Sequence, residues 1–354
     1  MSAYPRIEID LKKIRHNAEL LTDFCNSHDI NVAGVTKVFC AMPEIAQAML
    51  EGGVTILADS RIENLKKLKK LPVPKLLLRL PMKSQVSQVV KYADISLNSE
   101  IDTIEALGKS ARDNNKIHDI ILMIDLGDLR EGVWRDCVYD AVDNILRIEG
   151  VRLIGVGTNL TCYGGIIPNK DNLGLLADMA EEIEKEYNLP LEIISGGNSS
   201  SLYLLEKNEM PNKINNLRLG ESIVLGRETA YGEIIVGTYQ DAFVLKAEII
   251  ELKEKPSVPI GEIGMDAFGN KPEFEDRGNR KRAILALGRQ DVSVQNIIPE
   301  DEKAVILGAS SDHLIIDVTD CHKEYAVGDI LKFNVEYGAL LQLMTSEYIT
   351  KKIL

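Results

Sequence analysis

Asn31-Val-Ala-Gly-Val-Thr-Lys-Val-Phe-Cys40 is an apolar run that delivers one lysine, Lys37, to the point where a strand stops and a helix begins. A lysine is seldom buried, because taking its charge out of water is costly unless it is paired or loses its proton. At the end of an inner strand it is expected to have a depressed pKa, which an amine needs to condense with a carbonyl. The bland alternative is a snorkelling or salt-bridged lysine. Outward from this stretch the same rhythm repeats.

Runs rich in Val, Ile and Leu occur near 32–37, 54–58, 75–80, 94–97, 119–125, 152–157, 191–195 and 217–225. Segments 43–52, 61–70, 83–92, 99–114, 136–149, 171–187 and 199–208 between them read as amphipathic helices. Strands that are almost continuously apolar and alternate with helices indicate a parallel sheet covered by helices. Eight such strands close a (β/α)8 TIM barrel, and roughly 220 residues suits that fold. No early strand-to-helix turn carries the Gly-x-Gly-x-x-Gly fingerprint of a doubly wound open sheet. Ahead of this rhythm Arg6-Ile-Glu-Ile9 alternates like a half-buried strand, and Asp10 caps a helix with apolar positions Leu11, Ile14, Ala18 and Leu21.

Past residue 229 the helical pattern is lost, and 234–252, 281–287, 303–307, 313–318, 330–335 and 340–349 read as strands. Residues 254–282, rich in Gly, Pro and charge, read as a long loop or irregular hairpin. The expected organisation is a barrel over 1–228 and a C-terminal all-β domain over 229–354, with a first strand at 3–9 able to pair with the second domain.

The 354 residues are 45% hydrophobic and 27% charged, the composition of a globular protein large enough for two domains. A net charge of −13 argues against a nucleic-acid or anionic-membrane surface. Met-Ser-Ala-Tyr-Pro-Arg lacks a basic-then-apolar signal, and no apolar run reaches membrane-spanning length. Five cysteines without metal-type spacing read as the reduced thiols of a cytoplasmic protein.

Chemistry in such a barrel sits at the C-terminal strand ends. There the sequence offers Lys37, Asp59-Ser-Arg61, Arg79, Asn98-Ser99, Asp125-Leu-Gly-Asp-Leu-Arg130, Thr158-Asn159, Ser195-Gly-Gly-Asn-Ser-Ser200 and Arg218-Leu-Gly-Glu221. The glycines and serines of 195–200, at the start of a helix, suit an anion, and loops after strands seven and eight are this fold's phosphate position. A phosphate cradle facing a strand-end lysine suggests pyridoxal 5'-phosphate (PLP), whose aldehyde condenses with an amine. Arg218 fits this reading, because an arginine leaves a ring nitrogen unprotonated and so favours simple proton exchange at Cα over transamination. Read singly, the glycine-rich turn is an ordinary capped turn, and Arg218 a structural arginine.

These segments resemble the fold-type III PLP enzymes typified by alanine racemase. Arg6–Asn17, Val35-Thr-Lys37, Asp125–Gly132, Asn198-Ser-Ser200, Leu217-Arg-Leu-Gly220 and Gly308–Asp317 follow that family's order. Ser60–Asn64, Leu287–Asp291 and Ser310–His313 are most similar to its ornithine racemase branch. The resemblance implies that Lys37 is the Schiff-base lysine and an acid/base at Cα, and that Arg130 contacts cofactor and substrate carboxylate. It implies cofactor contacts from Asn159, Asn198, Ser199, Ser200, Gly220, Glu221 and Tyr348, with Arg218 at the ring nitrogen. It further implies a head-to-tail homodimer in which Arg289, Asp291, Ser311, Asp312 and His313 act on the other subunit's amino-acid substrate.

Where alanine racemases carry a basic tyrosine and a supporting histidine, the matching positions of this chain read Gly288-Arg289-Gln-Asp291 and Thr158-Asn159. Arginine is a poor base, so His313, Cys162 and Tyr163 become candidates for the second acid/base. A diamino acid such as ornithine would need a carboxylate for its distal ammonium; Asp59, Asp128, Glu221 and Asp291 are available. Ala41 is expected to open room for a longer side chain. The alternatives are an alanine or broad-specificity racemase, a metal-assisted lyase of the D-threonine aldolase or D-serine dehydratase type, and a non-catalytic PLP carrier. No second metal ligand follows Val327-Gly-Asp329, and the long β domain does not suit a carrier.

Overall fold

A computed structural model describes residues 4–354. The part of the expected 3–9 strand that falls on residue 3 lies outside the described residues. Leu11–Gln240 forms one compact unit, and residues 4–10 join Asp241–Leu354 in a second. Segment 229–240 thus stays with the first unit.

After β1 (Arg6–Ile9) the chain enters the first unit with α1 (Leu11–Asn26) and β2 (Asn31–Val35). There follow α2 (Pro43–Glu51), β3 (Ile56–Asp59), α3 (Ile62–Lys67), β4 (Lys75–Leu77), α4 (Val86–Tyr92), β5 (Ile95–Asn98) and α5 (Ile101–Asp113). The second half runs β6 (His118–Asp125), a two-residue β7 (Val133–Trp134), α6 (Val138–Ile145), β8 (Val151–Gly157), α7 (Lys170–Tyr187) and β9 (Ile193–Ser195). It ends with α8 (Leu202–Glu206), β10 (Asn216–Leu219) and α9 (Glu221–Leu225). Parallel pairing passes through β2, β3, β4, β5, β6, β8, β9 and β10 and returns to β2, closing an eight-stranded barrel. Ala33, Ala58, Leu76, Ile95, Leu97, Ile121, Met123 and Ile154 form one apolar cluster, while Ile120, Leu122 and Ile124 pack with α6 and α7. Both faces of each strand are therefore covered, which is why the strands read as apolar runs.

Several polar groups are buried on the barrel strands, His118 and Ser96 among them. His118 is 3% exposed and its Nε2 lies 2.8 Å from Ser96 Oγ. Burial pushes the imidazole down to about 4 from an ordinary 6.5. The unfolded chain therefore takes a proton that the fold refuses. The stability this neutral ring contributes is complete above pH 6.5 and is lost as pH falls toward 4, about 3 kcal/mol in all. His118→Gln keeps an amide for Ser96 and removes the titration. Urea unfolding near neutrality and near pH 4.5 should show a smaller acid loss in the variant; equal losses would refute this assignment.

The last predicted barrel strand, 217–225, is shorter than expected. β10 ends at Leu219, and Glu221–Leu225 is a buried helical turn between Gly220 and the left-handed Gly226. A short apolar run carries no period to separate the two forms.

The second unit is an antiparallel sheet built on β11 (Phe243–Pro256), whose Phe243, Leu245, Ala247 and Ile249 point inward. β12 (Asn279–Leu285), β13 (Ile297–Pro299), β14 (Val305–Ala309), β15 (Leu314–Asp317) and β16 (Ile330–Val335) extend it in the order β13-β16-β11-β12-β15-β14. β1 pairs antiparallel with β11 and parallel with β17 (Thr350–Ile353). The 340–349 strand expectation is corrected to a helix, α10 (Tyr337–Thr345). Its Ala, Leu and Met residues favour helix, and Ala339, Leu340, Leu343 and Met344 bury one face at helical spacing. The stretch from 257 to 278 is a connection between β11 and β12.

Candidate active site

Lys37 lies two residues beyond β2, on a single 3-10 turn, Lys37–Phe39. The turn is held from both sides. Thr36 N donates to Ala58 O at 2.8 Å and Thr36 Oγ1 to Asp59 Oδ2 at 2.7 Å, while Ala41 N donates back to Thr36 O. Cys40 and Ala41 both adopt left-handed φ, 53° and 52°, a strain that such surroundings sustain beside functional groups. The expectation of a buried lysine is corrected: the strand ends at Val35, and the turn carries Lys37 to an exposed position. Ala41, expected to open space, is completely buried. Asp59 is no free ammonium ligand, since Thr36, Arg61 N and Asn64 already donate to it. Its burial pushes the carboxyl up, against the pull of those donors and of the Lys37 charge.

Arg218 stands on β10 opposite Ala33 of β2 and is 4% exposed. Its guanidinium donates to Ser195 Oγ, to Thr158 O at 2.7 Å and to Asn159 Oδ1 at 3.3 Å. Burial pushes it down to about 10, offset by Glu131 and Cys162, so it stays charged at neutral pH. Ser195 is in turn fixed by Asn216 Oδ1 at 2.6 Å. On the adjoining strand end, Asn198 caps the short turn Ser199–Ser201, accepting from Ser200 N at 2.8 Å and donating to Leu160 O and Asn159 Oδ1. Ser199 Oγ meets Ser222 Oγ at 3.0 Å, and Gly220 and Glu221 start the neighbouring α9. Ser200 Oγ and Thr158 Oγ1 are buried without a hydrogen-bond partner.

The loops after β6 and β8 are joined through Asp128, which is 1% exposed. Its carboxylate accepts from Tyr163 N at 3.0 Å and Ile166 N at 3.3 Å, and its carbonyl accepts from Gly164 N at 3.1 Å. A Cβ on Gly164 would come within 2.7 Å of that carbonyl. This occupation removes Asp128 as a substrate ligand. Arg130 is exposed and ion-paired with Glu131 through both Nε and Nη2. Cys162 Sγ accepts from Asn159 Nδ2 at 2.9 Å, while the Tyr163 ring is 76% exposed.

Within the second unit, Arg289 N donates to Ser310 O and Gln290 N to Ser311 O, each at 2.9 Å, so the two segments expected to act together are stitched to each other. Gly288 permits this approach, since a Cβ there would lie 2.2 Å from Ser311 O. Asp312 Oδ1 accepts from Ser310 and Ser311 and lies 3.0 Å from His313 Nδ1; His313 and then Ser310 hold its carboxyl below the ordinary range. The Arg289 guanidinium stacks on Phe268 at 4.4 Å. Asp291 accepts from Ser346 Oγ at 2.8 Å, and Tyr348 is 68% exposed.

The closed eight-stranded barrel, with a lysine, a buried arginine and a serine turn on three consecutive strand ends, defines a barrel enzyme. The model of the alanine racemase N-terminal domain matches residues 9–228, and the chain belongs to that family. It is 54% identical to the ornithine racemase of Acetoanaerobium sticklandii over 352 residues, 99% of this chain and 100% of that protein. It is 44% identical to the lysine racemase of Thermotoga maritima, over 98% of each chain. Among solved structures, the alanine racemase of a D-cycloserine-producing Streptomyces lavendulae superposes with a TM-score of 0.77 at 16% identity, covering 100% of this chain and 98% of that one. The D-threonine aldolase of Filomicrobium marinum gives 0.74 at 13% identity, covering 97% and 88%. At such identities the structures show the shared fold.

The residues present fit PLP. Lys37 offers an accessible amine, Arg218 a charged donor, and the buried Ser200 and Thr158 hydroxyls have no partner within the protein. Sequence reading missed Glu131 as the partner of Arg130. It also missed Ser195 and Thr158 as the anchors of Arg218, although both lie in strand-end segments it had singled out.

Proposed function

We propose that the protein is a PLP-dependent racemase that interconverts L- and D-ornithine. The observation that carries this is end-to-end identity of 54% with an ornithine racemase, together with Lys37, Arg218 and Ser199–Ser200 on neighbouring strand ends. When bound, PLP supplies a sink for the electron pair left at Cα. Lys37 holds the cofactor and moves a proton to or from Cα on one face. Arg130 pairs with the substrate carboxylate in the planar, two-pronged manner of guanidinium. Arg218, anchored on three acceptors, would keep a proton off the ring nitrogen and so limit transamination. Ser199 and Ser200, with Asn198, Gly220 and Glu221, would surround the phosphate side. Two copies pair head to tail, and Arg289, Asp291, Ser311, Asp312 and His313 of each complete the other's site; light scattering should give twice the chain mass.

Incubating the loaded enzyme with L-ornithine, L-lysine, L-alanine and D-threonine in deuterium oxide tests the reading. Ornithine should racemise fastest with one deuterium at Cα. Lysine, one methylene longer, should follow about 10–200-fold behind. Aldehyde release from threonine, or alanine turnover equal to ornithine, would overturn it. Ser200→Ala separates fold from binding: the cofactor-free protein should keep its stability or gain up to about 1 kcal/mol, because an unpartnered buried hydroxyl is removed. Titrated PLP should bind about tenfold more weakly, about 1.4 kcal/mol.

A further inference from the structure

We propose that Cys162 is the second acid/base of the reaction, exchanging a proton with Cα on the face opposite Lys37. The inference rests on the racemase reading above. Inversion requires a proton to leave one face of Cα and another to arrive on the other, and Lys37 serves only one of them. The segment Gly288–Asp291 offers an arginine, which holds its proton too firmly to serve as a base.

The loop 159–166 is built to fix a sulfur in place. Asp128 pins its backbone at Tyr163 N, Gly164 N and Ile166 N, and Thr161 Oγ1 closes it onto Ile166 O at 2.8 Å. Cys162 Sγ then receives two side-chain amides, Asn159 Nδ2 at 2.9 Å and Asn198 Nδ2 at 3.6 Å. Asn159 Oδ1 accepts from Arg218 Nη2, so a continuous chain joins the buried guanidinium to the sulfur through one amide. The sulfur is therefore placed among groups expected to hold the cofactor. Independently, the buried hydroxyls of Thr158 and Ser200, on the same two strand ends as Asn159 and Asn198, lack protein partners and mark this side as a ligand surface.

The other candidates are less well placed. Tyr163 is anchored through its backbone nitrogen while its ring is 76% exposed, and His313 Nδ1 is engaged by Asp312. In one direction the Cα–H bond breaks, its proton passing to neutral Lys37 Nζ while the bonding pair remains on carbon. The S–H bond of Cys162 then breaks, its proton joins that pair on the other face, and thiolate and ammonium remain. Solvent returns the proton from ammonium to thiolate, and the reverse direction uses the same groups in exchanged roles.

The test uses holoenzyme carrying Cys162→Ala or Cys162→Ser, with L- and D-ornithine in deuterium oxide. Inversion should fall at least about a hundredfold in both, the scale of a lost proton-transfer group. The enantiomer that presents its C–H to Lys37 should continue to exchange hydrogen for deuterium without inverting. Serine keeps a hydrogen-bond acceptor, so rescue by serine would mean a structural role and overturn the proposal. Inversion within about tenfold of the parent, or loss of exchange for both enantiomers, would also overturn it, as would loss of inversion in His313→Ala alone. A second readout needs no turnover. Iodoacetamide should alkylate exposed Cys162 in the holoenzyme, and saturating ornithine should block that site while leaving exposed Cys137 reactive. Equal labelling with and without ornithine would overturn the assignment. A parent enzyme that racemises nothing refutes the racemase reading itself, while the protection pattern still reports whether an amino acid lies against the sulfur.

Discussion

Lys37→Ala is expected to lower ornithine racemisation by at least about 10^4-fold, because in the proposed reaction one residue supplies both the covalent anchor and a proton carrier. Borohydride reduction of the loaded parent should label the peptide containing Lys37, and reduction of the variant should label none. The variant should still fold. Lys37 is exposed, and the turn beneath it is held by hydrogen bonds of Thr36, Asp59 and Ala41. A label on another lysine, or a variant within tenfold of the parent, would remove the central residue of the site.

Arg218→Gln should cost about 10^2–10^3-fold in kcat, the usual loss when a preorganised charged donor is withdrawn from a buried site. Glutamine retains an amide donor for Thr158 O or Asn159 Oδ1 and removes the charge, so urea unfolding should separate folding from chemistry. Conversion of cofactor to its amine form should rise relative to racemisation, since a proton on the ring nitrogen is no longer disfavoured. Turnover within tenfold of the parent would make Arg218 a structural arginine.

The strand ends were legible because a strand covered on both faces is written in apolar residues, and the polar residue that interrupts the run marks the mouth. Lys37, Arg218 and the Ser199–Ser200 turn were found in this way. Contacts between loops were not legible. Asp128 meets Tyr163 and Ile166 only because β6 and β8 become neighbours in the ring. The pairing of Arg130 with its neighbour Glu131 depends on loop geometry that spacing does not encode. Lys37 was expected inside because the strand was read two residues too long. Past residue 229, an Ala- and Leu-rich stretch was read as a strand; burial of one face at helical spacing decided for α10.

The pairing of β1 bears on how the chain matures as it is synthesised. Residues 6–9 are made early, yet their partners lie at 243–246 and 350–353, so one edge of this strand stays open until β11 is made and the other until β17 is made. Barrel residues 11–240 can complete their own contacts before that. A fragment cut at 240 would therefore carry an orphan strand at its head, and a fragment beginning at 241 would lack the strand that joins β11 to β17. Trimming the final five residues would remove β17 and leave β1 paired on its β11 edge alone.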